Sequence, residues 1–210
     1  MSDILVADDG AIRTIRMNRP EKKNALTLAM YDTMAEAIEG AAARDDLHCL
    51  LIAGHETGFC AGNDIGDFVE MTKTGALGAP ILRFLHALNR SEKPVVAAVA
   101  GRAVGVGTTM LLHCDHVVAA EHALLSTPFV ALGLVPEAGS SMIAPRLMGR
   151  ARAFTLLVLG RPLHRRVFSH RRRSGLHRAA PIRWRRLERR RGGALLYLRT
   201  PWRSIALVLG

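Results

Sequence analysis

Two glycine-rich segments, residues 54–62 and residues 101–107, have the composition and spacing to support chemistry. Each follows a continuous apolar run, residues 49–53 and residues 95–100, as is typical of a buried strand. Glycines after such a strand allow tight turns, and free N–H groups at a helix start can stabilise a developing anion. Two such loops could each provide one N–H to a single oxygen. Taken alone, the second segment is better explained as a packing turn.

Other reactive residue types do not form a site with a recognisable pattern. Residues 101–107 lack the G-x-G-x-x-G spacing and the Gly-Lys-Ser/Thr of a phosphate-binding loop. The HCDH stretch at residues 113–116 lies near His122, but no pair has a known zinc spacing, so no metal is predicted. Residues 140–141 are not part of a G-x-S-x-G motif, which disfavours a serine hydrolase. Asp64 is predicted to cap a helix.

Alternating strands and helices must position these loops. Apolar runs predict strands at residues 4–6, 11–17, 49–53, 95–100 and 117–120. Helical patterns occupy residues 27–43, 80–89 and 108–113, and a further helix is predicted from about residue 138. The first helix should bury Met30, Met34, Ala37, Ile38 and Ala41, which share one face. This order predicts a layered α/β domain with its sites on loops.

Composition divides the chain near residue 160. The 210 residues are 49% hydrophobic, which is enough for a folded core. The formal net charge of +11 is uneven, because residues 161–210 hold fifteen Arg and one acid, whereas residues 1–160 are slightly acidic. An Arg-rich tail could bind nucleic acid, or it could come from a reading-frame change. The second interpretation is favoured, because residues 161–193 show no helical or strand period, so no nucleic-acid partner is predicted.

Location and membrane association also follow from composition. The longest apolar run is too short to span a membrane, and the chain start has no basic region of a secretory signal. Three widely spaced cysteines argue for a reducing compartment. A cytoplasmic protein without a membrane partner is therefore predicted.

Four motifs in order resemble the crotonase superfamily, the enoyl-CoA hydratase/isomerase family. They are NRPEKKNAL at residues 18–26, GFCAGND at 58–64, KPVVAAVAGRAVGVG at 93–107 and the Cys-Asp pair at 114–115. The resemblance covers roughly residues 3–160. It implies an α/β fold, a spiral of ββα units, usually assembled as a trimer or a dimer of trimers. An acyl-CoA-binding core over residues 1–160 would precede an atypical Arg-rich C-terminal segment over residues 161–210, which could be frameshifted or disordered.

The resemblance also implies a substrate and a set of site residues. The substrate would be an acyl-CoA thioester, with no cofactor besides the coenzyme A that is part of it. The N–H groups of Asn63 and Val106 would hold the thioester oxygen. Arg19, Lys22 and Lys23 could meet the CoA phosphates, although a solvated basic turn is favoured for at least two of them. The remaining substrate-binding positions would be Asn24, Ala25, Leu26, Ala61, Gly62, Asp64, Gly105 and Phe129.

The acid–base residues depart from the hydratase pattern. Hydratases of this family use two glutamates, and the matching positions here hold Thr109 and Phe129. Hydration needs one group to activate water and one to protonate carbon, so this mechanism lacks its parts. The name enoyl-CoA hydratase would nevertheless be compatible with this fold. The alternative from another class is a catalytically idle acyl-CoA-binding module with a nucleic-acid-binding tail.

One acid remains close to the predicted site. Residues 127–137 resemble the Δ3,Δ2-enoyl-CoA isomerase branch, in which a glutamate at the position of Glu137 is the base. A single carboxylate can carry one proton over the short distance that this reaction needs. An apolar wall such as Phe129 should raise the pKa of Glu137. The alternative role for Glu137 is a first-turn helix carboxylate that meets the helix dipole.

If the Arg-rich segment does not complete the fold, neighbouring helices should lose their cover. Family members usually continue after residue 160 with helices that complete the acyl pocket and the subunit contacts. The helices over about residues 138–159 would then expose apolar surface, which favours aggregation.

Overall fold

Two main sheets, and helices that alternate with their strands along the chain, build the fold. The computed structural model describes residues 2–55, 57–67, 69, 78–164, 185–188, 194–199 and 204–209. The strands are β1 (Ile4–Asp9), β2 (Ile12–Met17), β3 (Cys49–Ala53), β4 (Val95–Val99), β5 (Arg102–Val104), β6 (His116–Ala119), β7 (Leu124–Ser126), β8 (Leu163–His164), β9 (Arg185–Glu188), β10 (Ala194–Arg199) and β11 (Ser204–Leu209). The helices are α1 (Leu28–Ala42), α2 (Ala79–Arg90), α3 (Val106–Thr109), α4 (Ser140–Met148) and α5 (Arg150–Leu157), with short 3-10 helices at Pro20–Lys22, Met110–His113 and Val130–Leu132.

The larger sheet explains the apolar runs in the sequence. Its strand order is β1-β2-β3-β4-β6. Strands β1 and β2 form an antiparallel hairpin, and the pairs β2–β3, β3–β4 and β4–β6 are parallel. Parallel strands are usually covered on both faces, so their sequences are continuously apolar. The predicted strand at residues 49–53 coincides with β3, and the one at residues 95–100 contains β4.

A second, smaller sheet turns the chain into a spiral. Its order is β5-β7-β8, with β5 and β7 parallel. The segment after β3 joins it through an isolated parallel bridge between Cys60 and Ala103 of β5. The chain thus passes repeatedly from the larger sheet to the smaller one and then into a helix, as β4–β5–α3 and β6–β7–α4 do. This repeat is the predicted spiral of ββα units.

Helix α1 follows the predicted pattern closely. Thr27 accepts a hydrogen bond from the Met30 N–H at 3.2 Å, as an N-cap does. Asp67 adds a second acceptor for this end of the helix, 2.8 Å from the Leu28 N–H. The predicted face is buried in full: Met30, Met34, Ala37, Ile38 and Ala41.

The small sheet is where the sequence-based elements are wrong. Residues 101–107 were expected to form one turn, yet Arg102–Val104 forms β5 and pairs with Leu124–Ser126. Helix α3 begins at Val106, two residues before the predicted start. These strands have three residues each and pair with residues distant in the sequence, so no local period announces them.

The C-terminal segment is described only in part. Strand β8 pairs antiparallel with β7, and β9, β10 and β11 form an antiparallel sheet in the order β11-β10-β9. The strands β8 and β9 lie within residues 161–193, where the sequence shows no strand period. The rest of the predicted Arg-rich segment, including residues 165–184, lies outside the described residues.

Two clusters of buried apolar side chains form the core. The larger one joins the main sheet, α1, α2 and the two glycine-rich loops. The smaller one lies at α4 and α5, and its buried members are Leu112, Phe129, Ala144, Met148, Ala153, Leu156 and Leu157. The 3-10 helix Met110–His113 connects the two, because Leu111 belongs to the larger cluster and Leu112 to the smaller.

Candidate active site

The two glycine-rich loops lie against each other. The Val104 N–H donates to the Cys60 carbonyl at 2.9 Å, and the Cys60 N–H donates to the Arg102 carbonyl at 3.1 Å. These bonds, together with the Cys60–Ala103 bridge, fix the register of the loops. Asn63 and Val106 each follow a bridge partner by three residues, so the two residues leave the small sheet at the same end.

Glycine is required where the loops approach most closely. A Cβ on Gly107 would lie 2.7 Å from both the Cβ and the carbonyl oxygen of Cys60, which is shorter than any ordinary contact. A Cβ on Gly62 would lie 3.2 Å from the Val104 carbonyl oxygen, and Gly62 has φ +97°. The two roles considered for residues 101–107, a packing turn and a loop that binds an anion, are therefore compatible. Close packing of the two loops fixes the positions of their backbone N–H donors.

The two predicted oxyanion donors have no acceptor among the residues that the structure describes. The Val106 N–H is the first of helix α3, and a first-turn N–H has no partner within its helix. Neither it nor the Asn63 N–H donates to a described acceptor, although their neighbours Gly62, Asp64 and Val104 are all engaged in backbone or side-chain hydrogen bonds. This pattern is what an oxyanion hole built from backbone requires.

Glu137 lies beside the same helix start. Its Oε1 accepts a hydrogen bond from the Thr109 hydroxyl at 2.5 Å, and the same hydroxyl oxygen lies 3.5 Å from the Val106 carbonyl. The Thr109 hydroxyl thus joins the Glu137 carboxylate to the short helix that begins at the second predicted donor residue. The Ser140 N–H and hydroxyl donate to the Glu137 carbonyl at 2.9 and 2.6 Å, which holds its backbone.

The helix-dipole role considered for Glu137 is wrong. Helix α4 begins at Ser140 after the N-cap Gly139, so Glu137 precedes the helix and does not lie in its first turn. The next residue, Ala138, has the left-handed φ of +52°, and His113 Nε2 contacts its carbonyl oxygen at 2.8 Å. This turn directs the Glu137 side chain to Thr109.

The environment of Glu137 suits a base. Burial raises the pKa of the Glu137 carboxyl above its usual range, while the Thr109 hydroxyl and the nearby His113 lower it. The direction of the predicted pKa shift is thus confirmed, with burial as its cause. Phe129, the expected apolar wall, is 4% exposed and belongs to the smaller core cluster.

The predicted CoA-bordering stretch at residues 24–26 lies along the first loop. The Leu26 N–H donates to the Gly62 carbonyl and the Asp64 N–H donates to the Leu26 carbonyl, both at 2.8 Å. Asn24 is 1% exposed, and its amide N–H groups donate to the carbonyls of Gly58 and Phe59. Its side chain thus holds the loop in place. Ala25, Ala61 and Gly105 are partly exposed.

Arg19 is engaged within the protein, unlike the neighbouring lysines. Its guanidinium donates to Asp64 Oδ2 at 2.7 Å and to the Ala25 carbonyl at 3.0 Å. The other Asp64 oxygen accepts from the Gly66 N–H at 2.9 Å. Residues 65–67 are helical, so this contact confirms the predicted capping role. Lys22 and Lys23 are exposed, as a solvated basic turn would be.

Two positioning contacts escaped the sequence analysis. The Tyr31 hydroxyl donates to Asn63 Oδ1 at 2.5 Å, and the Thr109 hydroxyl donates to Glu137. The one available signal for Tyr31 was its place beside Met30 on a buried helix, because a buried tyrosine hydroxyl normally has a partner. Thr109 was noted only as a residue unable to act as an acid or base.

The HCDH residues make structural contacts. His113 contacts the Ala138 carbonyl, and Cys114 Sγ lies 3.6 Å from the Met110 carbonyl. Asp115 accepts from the Val95 N–H at 2.9 Å and thereby anchors the start of β4.

Comparison with known proteins agrees with this geometry. The family model described as enoyl-CoA hydratase/isomerase matches residues 7–166. The chain therefore belongs to the enoyl-CoA hydratase/isomerase family of the crotonase superfamily. It is similar to the 1,2-epoxyphenylacetyl-CoA isomerase of Escherichia coli strain K12, with 38% identity over 170 residues, covering 78% of this chain and 64% of that protein.

Two further relatives point in the same direction. Enoyl-CoA delta isomerase 2 of Rattus norvegicus is 39% identical over 165 residues, covering 76% of this chain and 42% of the relative. The solved structure of Pseudomonas aeruginosa OdaA superposes with a TM-score of 0.74 at 48% identity, covering 78% of this chain and 66% of that one. The chain thus spans less than two thirds of the length of these two curated relatives.

The membrane question has a limited structural answer. No helix within the described part of the chain combines the length and the hydropathy that a bilayer span needs.

Proposed function

We propose that this protein is an enoyl-CoA isomerase that converts a 3-enoyl-CoA thioester to the 2-enoyl isomer. The observation that carries the proposal is the position of Glu137, whose carboxylate is bound to Thr109 on the short helix that begins with the Val106 N–H. A base that is hydrogen-bonded to the helix carrying an oxyanion donor can act on the same acyl group as that donor, since C2 is bonded directly to the thioester carbon.

One carboxylate is sufficient for this reaction. Glu137 removes a proton from C2, and the electron pair moves into a dienolate whose negative charge lies on the thioester oxygen. The N–H groups of Asn63 and Val106 stabilise that charge, and each such donor typically contributes about 10²–10³ in rate. The protonated Glu137 then returns the proton to C4, which leaves the double bond between C2 and C3. No water and no second acid are needed.

The surroundings of Glu137 disfavour hydration. The two positions that match hydratase glutamates hold Thr109, which is hydrogen-bonded to Glu137, and Phe129, which is buried in an apolar cluster. Neither side chain can activate water near neutral pH. Two relatives whose names denote acyl-CoA isomerases support the same choice.

The remaining properties of the reaction belong to the same proposal. The acyl-CoA thioester is the substrate, and Asn24–Leu26, Ala61–Asp64, Gly105 and Phe129 border it. The reaction uses no metal and no cofactor beyond the CoA of the substrate. The protein acts in the cytoplasm as a homotrimer or a dimer of trimers, without a nucleic-acid or membrane partner.

Substitution Glu137→Gln tests the proposal. The carboxamide oxygen can still accept from Thr109, so the fold and the affinity for a CoA ester should persist. Turnover of a 3-enoyl-CoA should fall by about 10²–10⁴-fold, because the base is lost. Glu36→Gln is the matched control, since this carboxylate is largely exposed and pairs with Arg83 at 3.6 Å.

Two results would contradict the assignment. The first is unchanged isomerase turnover by the Glu137→Gln variant. The second is robust hydration of crotonyl-CoA by the unmodified protein, which would require an acid–base pair that this site does not provide.

A further inference from the structure

A buried hydroxyl group contacts the side chain of Asn63, which directly follows the first glycine-rich loop. Tyr31 of α1 is 1% exposed, and its ring lies 5.5 Å from that of Phe84, centroid to centroid, at a tilt of 57°. Its hydroxyl donates to Asn63 Oδ1 at 2.5 Å. Packing therefore fixes the ring, and the ring fixes the position of the hydroxyl. Nothing in the proposed proton transfer uses this contact.

The contact fixes which end of the Asn63 carboxamide is occupied. Oδ1 is the acceptor for Tyr31, so the Nδ2 group is the opposite branch of a planar amide. Its two N–H groups have no acceptor among the described residues, and Asn63 itself is partly exposed. Only four covalent bonds separate Nδ2 from the backbone nitrogen of Asn63. The backbone donor and the side-chain donor of this residue can therefore both come within hydrogen-bond reach of one acyl thioester group.

We propose that Tyr31 is a positioning residue that orients the Asn63 carboxamide, so that Nδ2 donates a further hydrogen bond to the bound acyl thioester. This inference rests on the proposed function, because it assumes that a thioester oxygen lies at the Asn63 N–H. Asn63 then contributes two donors, one from its backbone and one from its side chain. The second donor depends on Tyr31, which touches no substrate.

The charge state of Tyr31 suits a permanent donor. Burial raises the pKa of Tyr31 well above its usual value, and negative charge at Cys60 or Glu137 raises it further. The hydroxyl therefore keeps its proton over the working pH range and donates throughout.

A double-mutant cycle tests the coupling. Tyr31→Phe keeps the ring and removes the hydroxyl, whereas Asn63→Ala keeps the backbone N–H and removes the carboxamide. Each single variant should lower kcat by about tenfold, the value of one neutral hydrogen bond. The double variant should lose no more than Asn63→Ala alone, because Tyr31 acts through Asn63. Thr33→Ala is the control, since its hydroxyl on the same helix is exposed and bonds only to Ala29. Additive losses would overturn the proposal.

A spectroscopic measurement separates positioning from folding. A saturated acyl-CoA cannot isomerise, and the infrared stretch of its thioester carbonyl moves to lower frequency when donors polarise it. Tyr31→Phe should move the bound frequency part of the way back to the free value while the thermal midpoint stays near that of Thr33→Ala. An unchanged frequency would overturn the proposal. Glu137→Gln should keep the full shift, so failure of the base assignment and failure of this inference give different results.

Discussion

The two halves of the candidate site rest on different parts of the molecule. The backbone donors of Asn63 and Val106 come shortly after residues that pair in the small sheet. That sheet packs into the larger core cluster, in which Phe59, Cys60 and Val106 are buried. Glu137 precedes α4, in the layer that packs on the smaller cluster. The donors are thus fixed by strand pairing and a large core, whereas the base depends on Thr109, on backbone hydrogen bonds and on a thin layer of helices.

The two regions also differ in how much apolar surface they expose. Large apolar side chains are exposed mostly on the α4–α5 layer and the loop before it. These are Val130, Leu132, Val135, Met142, Leu147, Phe154, Val158 and Leu159. The exposed apolar surface expected over residues 138–159 is therefore present, and it extends to residue 130.

Different substitutions should impair the two halves of the site. Oxyanion donors made of backbone cannot be removed by changing their own side chains, so only a change that moves the loops should weaken them. The base is one side chain, and small changes near it should alter proton transfer without unfolding the sheet. Four predictions follow from this difference.

Among the changes that compare the two regions, the largest effect should come from separating the two loops. Gly107→Ala places a Cβ 2.7 Å from the Cys60 backbone, so one loop must move. Loss of one aligned donor should lower kcat by about 10²–10³. Gly58→Ala is the control, because a Cβ there meets nothing within 4 Å. Steady-state kinetics of both variants check the prediction, and equal activity would show that the loops do not set the donor geometry.

The sequence alone predicted much of the framework of the site. The buried face of α1, strand β3 and both glycine-rich loops have strong local signals in periodicity or composition. The pairing of β5 with β7 has no such local signal, because strands of three residues are too short to show a period. The Tyr31–Asn63 and Thr109–Glu137 contacts join residues about thirty positions apart. Such contacts depend on how successive turns of the spiral pack on each other. The local sequence around one residue of the pair therefore does not predict the other residue.

The second largest difference should appear in the rates of amide hydrogen exchange of the two regions. Amides of α4 and α5 have fewer buried apolar contacts behind them than amides of β3 and β4. Local opening free energies within one protein vary from near zero to the global value. We expect exchange from α4 and α5 to be faster by about 10²-fold in native conditions. Equal protection of helices and sheet would show that the layer has as firm a support as the sheet.

A smaller effect should follow removal of the hydroxyl that holds the base. The Thr109 hydrogen bond favours charged Glu137 and lowers its pKa against the effect of burial. Thr109→Val should therefore raise that pKa, and the acidic limb of kcat/KM should move to higher pH. Activity at a fixed pH on that limb should fall, since less of the base is deprotonated. The pH–rate profile checks this, with Thr109→Ser expected to restore the original limb.

The matched control for this change is Thr155→Val. Its hydroxyl donates within α5, to the Ala151 carbonyl, so the profile should not move. The free energy of unfolding offers an independent check with a defined sign. Native Glu137 keeps its proton at pH values where the unfolded chain has lost it, so stability falls as pH rises through that window. In Thr109→Val the window extends to higher pH. An acidic limb that stays in place would mean that Thr109 does not tune the base.

The smallest effect should come from the exposed apolar surface of the helical layer. Val135 is 80% exposed and Leu132 is 66% exposed, so neither buries enough area to stabilise the fold. Val135→Ser and Leu132→Gln should change the free energy of unfolding by less than about 0.5 kcal/mol. The same variants should bind less of an apolar fluorescent dye, because they interrupt a continuous patch. Leu5→Gln is the control, since Leu5 is an exposed apolar residue on the edge strand of the larger sheet, remote from α4 and α5 in the chain. If other residues cover the α4–α5 layer in solution, these variants will bind as much dye as the unmodified protein, and their free energy of unfolding will fall. The two halves of the site would then differ less than their exposed surfaces indicate.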